Sequence, residues 1–456
     1  MKPDSKKSRK RPLKKARKKT QKNMWKEGNI TSKVVSNEKA KTVARQLKTL
    51  QILDIKKELN VYVPASNQYR SGRCWMFSYL NGLRLSLISH YKLPPTFSLS
   101  ASYMMFWDKY EKCNYFLHRA SHYSKESMDH IDNHFLYRNM ISDGGTWNMI
   151  QNIVEKYGVV PYDAMKESYH SMDTYQMNDV LFNVLKRGAR ELRQQPKAKH
   201  GAIIKRQMKK IRGFLVKCAG RPPPTQVACI KDPKKKCSPK IWYETDVKPL
   251  PGNDVQKKVV LVHVPHLDEN QYYTIQELNN MEGGKQIYYF NVSIRNLKKA
   301  ILHQLTNHIP VWFGCDVDKF HHYGEALLDN KVFSYDSFPF SKKELFLQKT
   351  NAIPYYQTNM NHAMLFTGYY YKATKKQTPL YWLVENSHSS KMKRLSFENN
   401  HGHLVMSDSW FDSYMLMAVV DENALQQDTL TSKIRDKDNV KILPKWSNLG
   451  ELLLTV

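Results

Sequence analysis

The sequence predicts an α+β fold in which helices come first along the chain and β-strands follow. Up to about residue 160 the apolar residues recur at helical spacing, and from about residue 258 short runs rich in β-branched and aromatic residues take over. Helices followed by strands are typical of α+β domains, whereas alternation of the two is typical of parallel sheets. Since 41% of the 456 residues are apolar, the chain can bury a sizeable core.

The helical part contains three predicted helices. Residues 37–60 carry apolar side chains on one face, and the segment from 74 to about 88 is apolar on most sides, as in a central buried helix. A third stripe ends at Gly158, a residue typical of helix C-termini. The predicted strands are residues 259–264, 286–290, 311–313 and 380–384.

Composition also predicts the domain organisation. Residues 1–24 form a basic run with almost nothing to bury, so we expect a disordered tail. Residues 25–440 form the predicted main domain. Within it, residues from about 165 to 250 are basic, helical at first and then rich in proline and lysine, and we interpret them as a helical insertion.

The net charge of +31 raises an alternative function. Residues 1–22 hold twelve basic residues and one acidic residue, a charge of +11, so that +31 − 11 leaves +20 on the rest of the chain. Such an excess attracts polyanions. A nucleic-acid-binding protein is therefore the alternative hypothesis, with the tail as a nuclear-localisation or nucleic-acid patch. Charge alone does not distinguish nucleic acid from other acidic partners.

Several classes of protein are disfavoured by the sequence. No apolar run reaches the ~18 residues of a membrane span, and no apolar segment follows the basic N-terminus as in a secretory signal. We therefore expect a cytoplasmic protein, or a nuclear one if the tail directs it there. The six cysteines lack zinc-site spacing, and the histidine pairs 321–322 and 401/403 lack a third ligand, so no metal site is predicted. No phosphate loop appears, and no cofactor is expected.

The residue best placed for chemistry is Cys74. It falls in the first turn of the predicted central helix, where the helix dipole lowers the pKa of a thiol, and it follows a polar loop at residues 67–72. Any cysteine at a helix start gains this help, so position alone is weak support. Its base has to come from a distant part of the chain. Among seventeen histidines, His362 lies in a suitable place, just before a predicted strand.

Residues 67–77, Asn-Gln-Tyr-Arg-Ser-Gly-Arg-Cys-Trp-Met-Phe, resemble the nucleophile segment of the bleomycin hydrolases, the large cytosolic branch of the papain superfamily. Residues 361–369 and 382–387 are similar to the His and Asn segments of that family. Motifs in the right order along most of a chain are far more specific than one motif. Further similar stretches are residues 98–109, 143–147, 280–284, 312–316 and 406–412; together they cover roughly residues 37–456, least well at 165–250.

This resemblance implies a papain-like cysteine peptidase fold, with a helical lobe that carries the cysteine helix and a β-rich lobe. It implies a cofactor-independent aminopeptidase that acts on peptides. Cys74 would be the nucleophile, His362 the base and Asn386 the residue that orients the base. The side-chain amide of Gln68 and the backbone N–H of Cys74 would hold the oxyanion.

The resemblance also implies substrate contacts and an assembly. Gly144 and Gly145 would offer backbone groups to an extended substrate, although two glycines can equally form only a tight turn. The backbone carbonyl of Asn361 would contact the scissile residue. Members of this family form hexamers, so a homohexamer is implied. Some also bind DNA, so a peptidase and a nucleic-acid-binding protein are compatible.

A C-terminal arm at residues 441–456 is implied as well. In the family the arm lies in the cleft, and its terminal carboxylate, here that of Val456, takes the place where the free amino group of a substrate binds. The chain departs from the family pattern in two places. His388 stands where a tryptophan is usual, and the arm is about three residues longer. A longer arm is compatible with a blocked cleft, with trimming or with a shifted substrate, and a displaced arm would give an endopeptidase.

Overall fold

The structure is a computed structural model, and it describes residues 55–59, 63–224, 227–232, 234–333, 335, 340–371, 379–388, 402–425, 434, 437 and 439–454. For residues 55–58 and 454 it describes the backbone only. The predicted basic tail at 1–24 and the C-terminal Val456 lie outside the described residues.

The helices begin with a long buried one and cluster in the first half of the described chain. In chain order they are α1 (Cys74–Tyr91), α2 (Ala101–His122), α3 (Ile131–Arg138), α4 (Trp147–Tyr157), α5 (Tyr169–Met172), α6 (Tyr175–Gln194), α7 (His200–Ala219), α8 (Pro239–Trp242), α9 (Ile294–Thr306), α10 (Lys342–Leu345), α11 (Lys349–Ala352), α12 (Asp408–Tyr414) and α13 (Asn448–Leu454). A π-helical turn at Tyr243–Val247 follows α8.

The strands lie mainly in the second half. They are β1 (Ile55–Glu58), β2 (Val227–Ala228), β3 (Lys236–Cys237), β4 (Lys258–Val262), β5 (Gln271–Ile275), β6 (Tyr289–Asn291), β7 (Val311–Cys315), β8 (His321–His322), β9 (Leu327–Leu328), β10 (His362–Tyr371), β11 (Pro379–Glu385), β12 (His403–Ser407), β13 (Met415–Asp421) and β14 (Val440–Leu443). Apart from β1, the helix-rich part of the described chain precedes the strand-rich part as predicted, and the α+β class is confirmed.

One large, mostly antiparallel sheet organises the β-rich part. Its strand order is β14-β5-β6-β4-β13-β7-β10-β11-β12-β9-β8, with β1 paired to the far part of β10. The long strand β10 lies near the middle, between β7 and β11. Both ends of β10 are therefore held by hydrogen bonds, and its first residue, His362, is fixed opposite Cys315.

The sheet is covered on both faces by apolar side chains. One core joins α1, α2 and α4 to sheet residues such as Val260 and Trp312, and the other packs α9 and α12 against Phe313 and Phe366. Strands buried on both faces read as continuous apolar runs, which is why they could be recognised in the sequence. Helix α1 runs through the first core with most of its residues buried.

The prediction of a helix at residues 37–60 is wrong for the part that the structure describes. Residues 55–58 form strand β1, which pairs antiparallel with residues 368–371 of β10. A short segment with apolar residues a few positions apart fits either element, and the sheet edge offered by β10 decides the outcome. Residues 37–54 lie outside the described chain.

The region predicted as an insertion supplies α5, α6, α7 and α8 together with the β2–β3 hairpin. Helices α6 and α7 pack against α2, with Leu181, Leu185 and Leu215 fully buried in the first core. The described part of the arm adds β14 to the edge of the sheet, parallel to β5. Its helix α13 buries Leu449 and Leu453 in the same core.

Candidate active site

Cys74 is the first residue of α1 and is almost completely buried, with 3% of its surface exposed. Arg73 precedes it with φ −93° and ψ 19°, and no side chain caps the helix. The first backbone N–H groups of α1 are therefore available at the sulfur's end of the helix. Within the described chain the structure records no acceptor for the N–H of Cys74 itself.

His362 and Asn386 come from neighbouring strands of the sheet. His362 opens β10, and Asn386 follows the last residue of β11. Their side chains meet at 2.7 Å between Nε2 of His362 and Oδ1 of Asn386. An amide oxygen can only accept, so Nε2 carries the proton of this bond. The other ring nitrogen, Nδ1, is then the one left to exchange a proton with Cys74.

The thiol and the imidazole each shift the pKa of the other toward its charged form. Burial would raise the pKa of Cys74, but the charge of His362 and its hydrogen bond, with the N–H groups of Ala363 and Trp75, lower that pKa overall. The N–H of Ala363 lies 3.4 Å from the sulfur. Burial would lower the pKa of His362, but Cys74 and the bond to Asn386 raise it. Both shifts favour thiolate and imidazolium near neutral pH.

Gln68 lies between the cysteine loop and the strand end that carries Asn386. Its Nε2 donates to the carbonyl of Ser71 at 2.5 Å, and its Oε1 accepts from the hydroxyl of Ser387 at 2.5 Å. These two bonds fix which end of the amide is the donor. One hydrogen of the Nε2 group remains for a further acceptor.

Gly144 and Gly145 form a buried segment beside the cysteine helix. A Cβ atom on Gly145 would lie 2.7 Å from the ring of Trp75, so only glycine lets this segment lie so close. The carbonyl of Gly144 accepts from Lys112 Nζ at 2.6 Å. Gly145 therefore brings backbone against Trp75, the residue that follows Cys74.

Asn361 has its side chain engaged by the loop after β7. Its Oδ1 accepts from the N–H of Val317 at 2.9 Å, and its Nδ2 donates to Asp316 and Asp318 at 2.9 Å and 3.0 Å. The side chain is thus an anchor for the backbone just before His362. The family resemblance implies a role only for the backbone carbonyl of Asn361, and the anchoring by its side chain is visible only in the structure.

The described part of the arm borders an open cleft that also contains the two glycines. Leu453 and Lys445 line it together with Gly144 and Gly145. Lys445 is buried and pairs with Glu277 at 2.7 Å, which ties the start of α13 to the body. The position of Val456 relative to this cleft lies outside the described residues.

His388 stacks on the imidazole of His362. The two rings are 5.4 Å apart and nearly parallel, at 11°. The imidazole of His321 is buried near the rings of His362 and His388. Burial, together with the charges of these two rings, lowers the pKa of His321 to about 3. From the sequence, His321 is considered only as a possible metal ligand. Among the described residues no group of three or more His, Cys, Asp or Glu is arranged to hold a metal.

Lys112 is a residue of this site that the sequence analysis missed. It lies on α2, is buried, and pairs with Asp108 one helical turn earlier at 2.9 Å. Burial lowers its pKa despite the attraction of Asp108. The spacing of four residues between Asp108 and Lys112 is the signal that could have found it, but it is weak because Lys109 and Glu111 make the surrounding stretch of α2 charged.

Comparison with known proteins gives a consistent assignment. The model of the "Peptidase C1-like family" matches residues 7–450. Human bleomycin hydrolase is 34% identical over 408 residues, covering 85% of this chain and 86% of that protein. Aminopeptidase C of Lactobacillus delbrueckii subsp. lactis is 31% identical over 407 residues, with 85% and 86% covered.

A solved structure shows the same fold. The crystal structure of PepW from Lactobacillus rhamnosis HN001 superposes with a TM-score of 0.79 and covers 97% of this chain and 99% of its own, at 24% identity. The predicted papain-like fold is thereby confirmed. None of the helices that the structure describes has the length and apolar character required to cross a membrane.

Proposed function

The chain belongs to the Peptidase C1-like family, and from this premise we propose that it is a cysteine aminopeptidase that removes N-terminal residues from peptides. The observation that carries the proposal is one constellation: Cys74 at the start of α1, facing an imidazole that Asn386 holds through Nε2. A thiolate with a positioned proton donor is what acyl transfer to sulfur requires.

The first half of the reaction forms the acyl-enzyme. The sulfur of Cys74 attacks the carbonyl carbon of the peptide bond, and the proton on Nδ1 of His362 passes to the departing amine. In the second half, His362 takes a proton from water as that water attacks the thioester, and the carboxylic acid leaves while Cys74 regains its thiolate. Asn386 keeps the ring in one orientation through both halves.

The negative charge that develops on the carbonyl oxygen needs preorganised donors. The remaining hydrogen of the Gln68 amide and the N–H of Cys74 are the two groups that support this role, since neither is consumed by another acceptor in the described chain. One such donor contributes about 3 kcal/mol to a transition state.

Substrate backbone would run along the segment at Gly144 and Gly145, which carries no side chains of its own. The carbonyl of Asn361 would accept from the residue at the bond to be cut. Lys112 supports the first of these contacts, because it holds the carbonyl of Gly144 and the neighbouring carbonyl of Ser142.

The preference for a free N-terminus would come from the arm. Its last described turn lies in the wall of the cleft that contains the two glycines, which supports a terminal carboxylate close to the substrate's first residue. A carboxylate there would pair with an α-ammonium group and would leave no room for a longer N-terminal extension. Val456 is the residue that would supply it.

Three further parts of the proposal depend on the family resemblance. They are assembly as a homohexamer, a cytoplasmic location and a role for the basic tail in binding nucleic acid. The tail lies outside the described residues, and no observation on the described chain favours nucleic acid over peptide as the main ligand.

The test is hydrolysis of an aminoacyl fluorogenic amide, with its α-amino group free or acetylated, by the wild type and by Cys74→Ala. Turnover of the free amine alone, lost in Cys74→Ala, is the expected result. Cys218→Ala, which removes another thiol on α7, is the matched control and should retain full turnover. A wild-type protein with no turnover, or a Cys74→Ala protein with undiminished turnover, would overturn the proposal.

A further inference from the structure

A buried ion pair lies directly beside the candidate nucleophile. Both terminal nitrogens of Arg73 contact the two carboxylate oxygens of Glu167, at 3.1 Å and 3.0 Å. The Arg73 side chain is fully buried and that of Glu167 is 10% exposed. A second hydrogen bond reaches Glu167 from the hydroxyl of Ser171, at 2.5 Å. The pair is bidentate, the geometry in which an arginine is held most rigidly.

The same arginine continues into the loop that carries Gln68. Its Nε donates to the hydroxyl of Ser71 at 2.8 Å, and that hydroxyl donates to the backbone carbonyl of Gln68 at 2.6 Å. The side-chain amide of Gln68 in turn donates to the carbonyl of Ser71. Ser71 is thus held by Arg73 from one side, and it holds both the backbone and the side chain of Gln68 from the other.

Other contacts from the same short stretch reach the loop. The N–H of Arg70 donates to the carbonyl of Met172 at 2.9 Å, and the guanidinium of Arg70 pairs with Asp173 at 3.4 Å. The Arg70 side chain is mostly exposed, so this pair adds little. The buried pair of Arg73 and Glu167 is the strong attachment between the loop and residues 167–173.

We propose that Arg73 and Glu167 are positioning residues that hold the Gln68 amide where it donates to the oxyanion. The inference rests on the proposed function, since it concerns the same reaction. It assigns a role to residues outside the set predicted from the sequence, and it makes the start of the predicted insertion, where Glu167 lies, a support for the active site.

The role is one of geometry more than of charge. Glu167 neutralises Arg73 at contact distance, so the pair presents little net charge to Cys74. The groups that lower the pKa of the thiol are His362 and the N–H groups of Ala363 and Trp75. A buried ion pair is also no more stabilising than apolar residues of the same size, because both ions lose their hydration. What this pair supplies, and apolar side chains would not, is a directed bond to Ser71.

The test is a double-mutant cycle between Glu167→Gln and Gln68→Ala. Glu167→Gln keeps the shape of the side chain but removes the negative charge that pairs with both terminal nitrogens of Arg73. We expect it to lower kcat about 10-fold with KM unchanged, because removal of a whole oxyanion donor costs about 10²–10³-fold. In a Gln68→Ala background the same substitution should cost less than about 2-fold, because the donor that it positions is already gone.

Two further variants separate positioning from stability and from charge. Asp421→Asn breaks a comparable pair with Lys258, about 20 Å along β13 from the strand end beside the site, and should leave kcat unchanged in both backgrounds. Arg73→Lys keeps the charge but cannot make the fork or the Nε bond, and it should lose as much kcat as Glu167→Gln. A thermal unfolding curve whose midpoint lies above the assay temperature shows that each variant is folded in the assay.

The outcomes are distinguishable. Multiplicative effects of Glu167→Gln and Gln68→Ala, or full activity in Arg73→Lys, would overturn the positioning role while the wild type still turns over substrate. Absence of turnover by the wild type would overturn the proposed function instead. If Arg73→Lys does not fold, the cycle with Glu167→Gln decides alone.

Discussion

The ring of His388 lies parallel to the catalytic candidate His362, with centroids 5.4 Å apart. The family that the sequence resembles usually has a tryptophan at the position of His388. An indole there would be a large apolar cover over the bond between His362 and Asn386. The imidazole is smaller, and unlike an indole it can carry a positive charge. When His388 is protonated, its charge opposes the positive charge that His362 carries in the ion pair with Cys74.

We therefore expect His388→Trp to raise kcat/KM, by about 2- to 5-fold below pH 6.5 and less above it, since a neighbouring like charge is removed. The measurement is the pH profile of kcat/KM for both proteins. His90→Trp, at the exposed far end of α1, is the control for a new indole and should match the wild type. Equal profiles for His388→Trp and the wild type would contradict the expectation.

The opposite pKa shifts of Cys74 and His362 predict the shape of the pH profile. The thiol pKa is lowered from 9.0 and the imidazole pKa is raised from 6.5. Activity should rise with pH as Cys74 loses its proton and fall as His362 loses its own, and the two apparent values belong to the pair. Asn386 stabilises the imidazolium by accepting from Nε2.

Asn386→Ala removes that acceptor, so the alkaline limb should move to lower pH and kcat/KM should fall about 10- to 100-fold, as for other positioned groups in acid–base catalysis. The acid limb should move less, because Asn386 does not touch Cys74. Alkylation of Cys74 by iodoacetamide, followed against pH, checks the thiolate separately. An alkaline limb that stays in place would show that Asn386 does not stabilise the charged ring.

Most of this site could be predicted from the sequence because its members stand at the ends of predictable elements. Cys74 opens an apolar helix, His362 opens an apolar strand, and Asn386 follows another. Asn386, Gln68 and the two glycines, however, were identified only through the family resemblance. Arg73 and Lys112 lie in polar or charged stretches of sequence, so nothing local marks them as buried or reveals their partners. Glu167 is 94 residues from Arg73, and only the fold brings the two together.

Strand β1 shows the other limit of the sequence. Its apolar spacing predicts the end of a helix, whereas the structure pairs it with β10. Pairing energy comes from the partner strand, which is more than 300 residues away, so local spacing does not reveal it. The stacking of His388 on His362 likewise could not be predicted. The sequence shows that a histidine replaces the usual tryptophan, but it does not show the orientation of the ring.

Gly145→Ala tests the close approach beside Trp75. The added Cβ would lie 2.7 Å from the indole, so either the ring or the glycine segment has to move. We expect a loss of about 1–3 kcal/mol in the free energy of unfolding from overpacking. Movement of the segment would also raise KM, because Gly145 is a proposed substrate contact.

Gly201→Ala is the matched control. Gly201 lies in α7, and a Cβ there meets nothing within 4 Å. Alanine should raise helix stability by up to about 1 kcal/mol and leave KM unchanged. Chemical denaturation and steady-state kinetics of both variants give the answer. A Gly145→Ala protein as stable and as active as the wild type would show that the Trp75 ring moves aside without a loss in the free energy of unfolding.

Glu385, the residue before Asn386, predicts how stability depends on pH. It pairs with Arg84 of α1 at 3.1 Å, and burial raises its pKa to about 7 although Arg84 opposes this. Burial likewise lowers the pKa of Arg84. A carboxyl whose pKa is higher in the folded state than in the unfolded state disfavours folding as pH rises. Its cost is nearly absent below the unfolded pKa and complete above about 7.

Relative to Glu385→Gln, the wild type should therefore lose about 2 kcal/mol of unfolding free energy between pH 5 and pH 8. Urea denaturation at several pH values measures the difference. Glu191→Gln serves as the control, because the exposed pair with Arg206 lowers the pKa of Glu191, and this group stays ionised over the whole interval. A constant difference between wild type and Glu385→Gln would mean that Glu385 titrates outside this range.

The arm offers the sharpest test of exopeptidase specificity. Helix α13 buries Leu449 and Leu453, so it stays attached when only the residues beyond it are removed. Deleting Thr455 and Val456 shortens the chain by two residues and places the terminal carboxylate on Leu454. If that carboxylate binds the substrate's α-ammonium group, KM for free-amine substrates should rise about 10-fold or more, since a charged hydrogen bond of about 1.5–3 kcal/mol is lost. The acetylated substrate should then begin to turn over, because the blocking group is gone.

Val456→Ala keeps the length and the carboxylate, and it should behave as the wild type with both substrates. If the deletion improves turnover of the free-amine substrate and still excludes the acetylated one, the longer arm obstructs the cleft in the intact chain and another group selects the free amine.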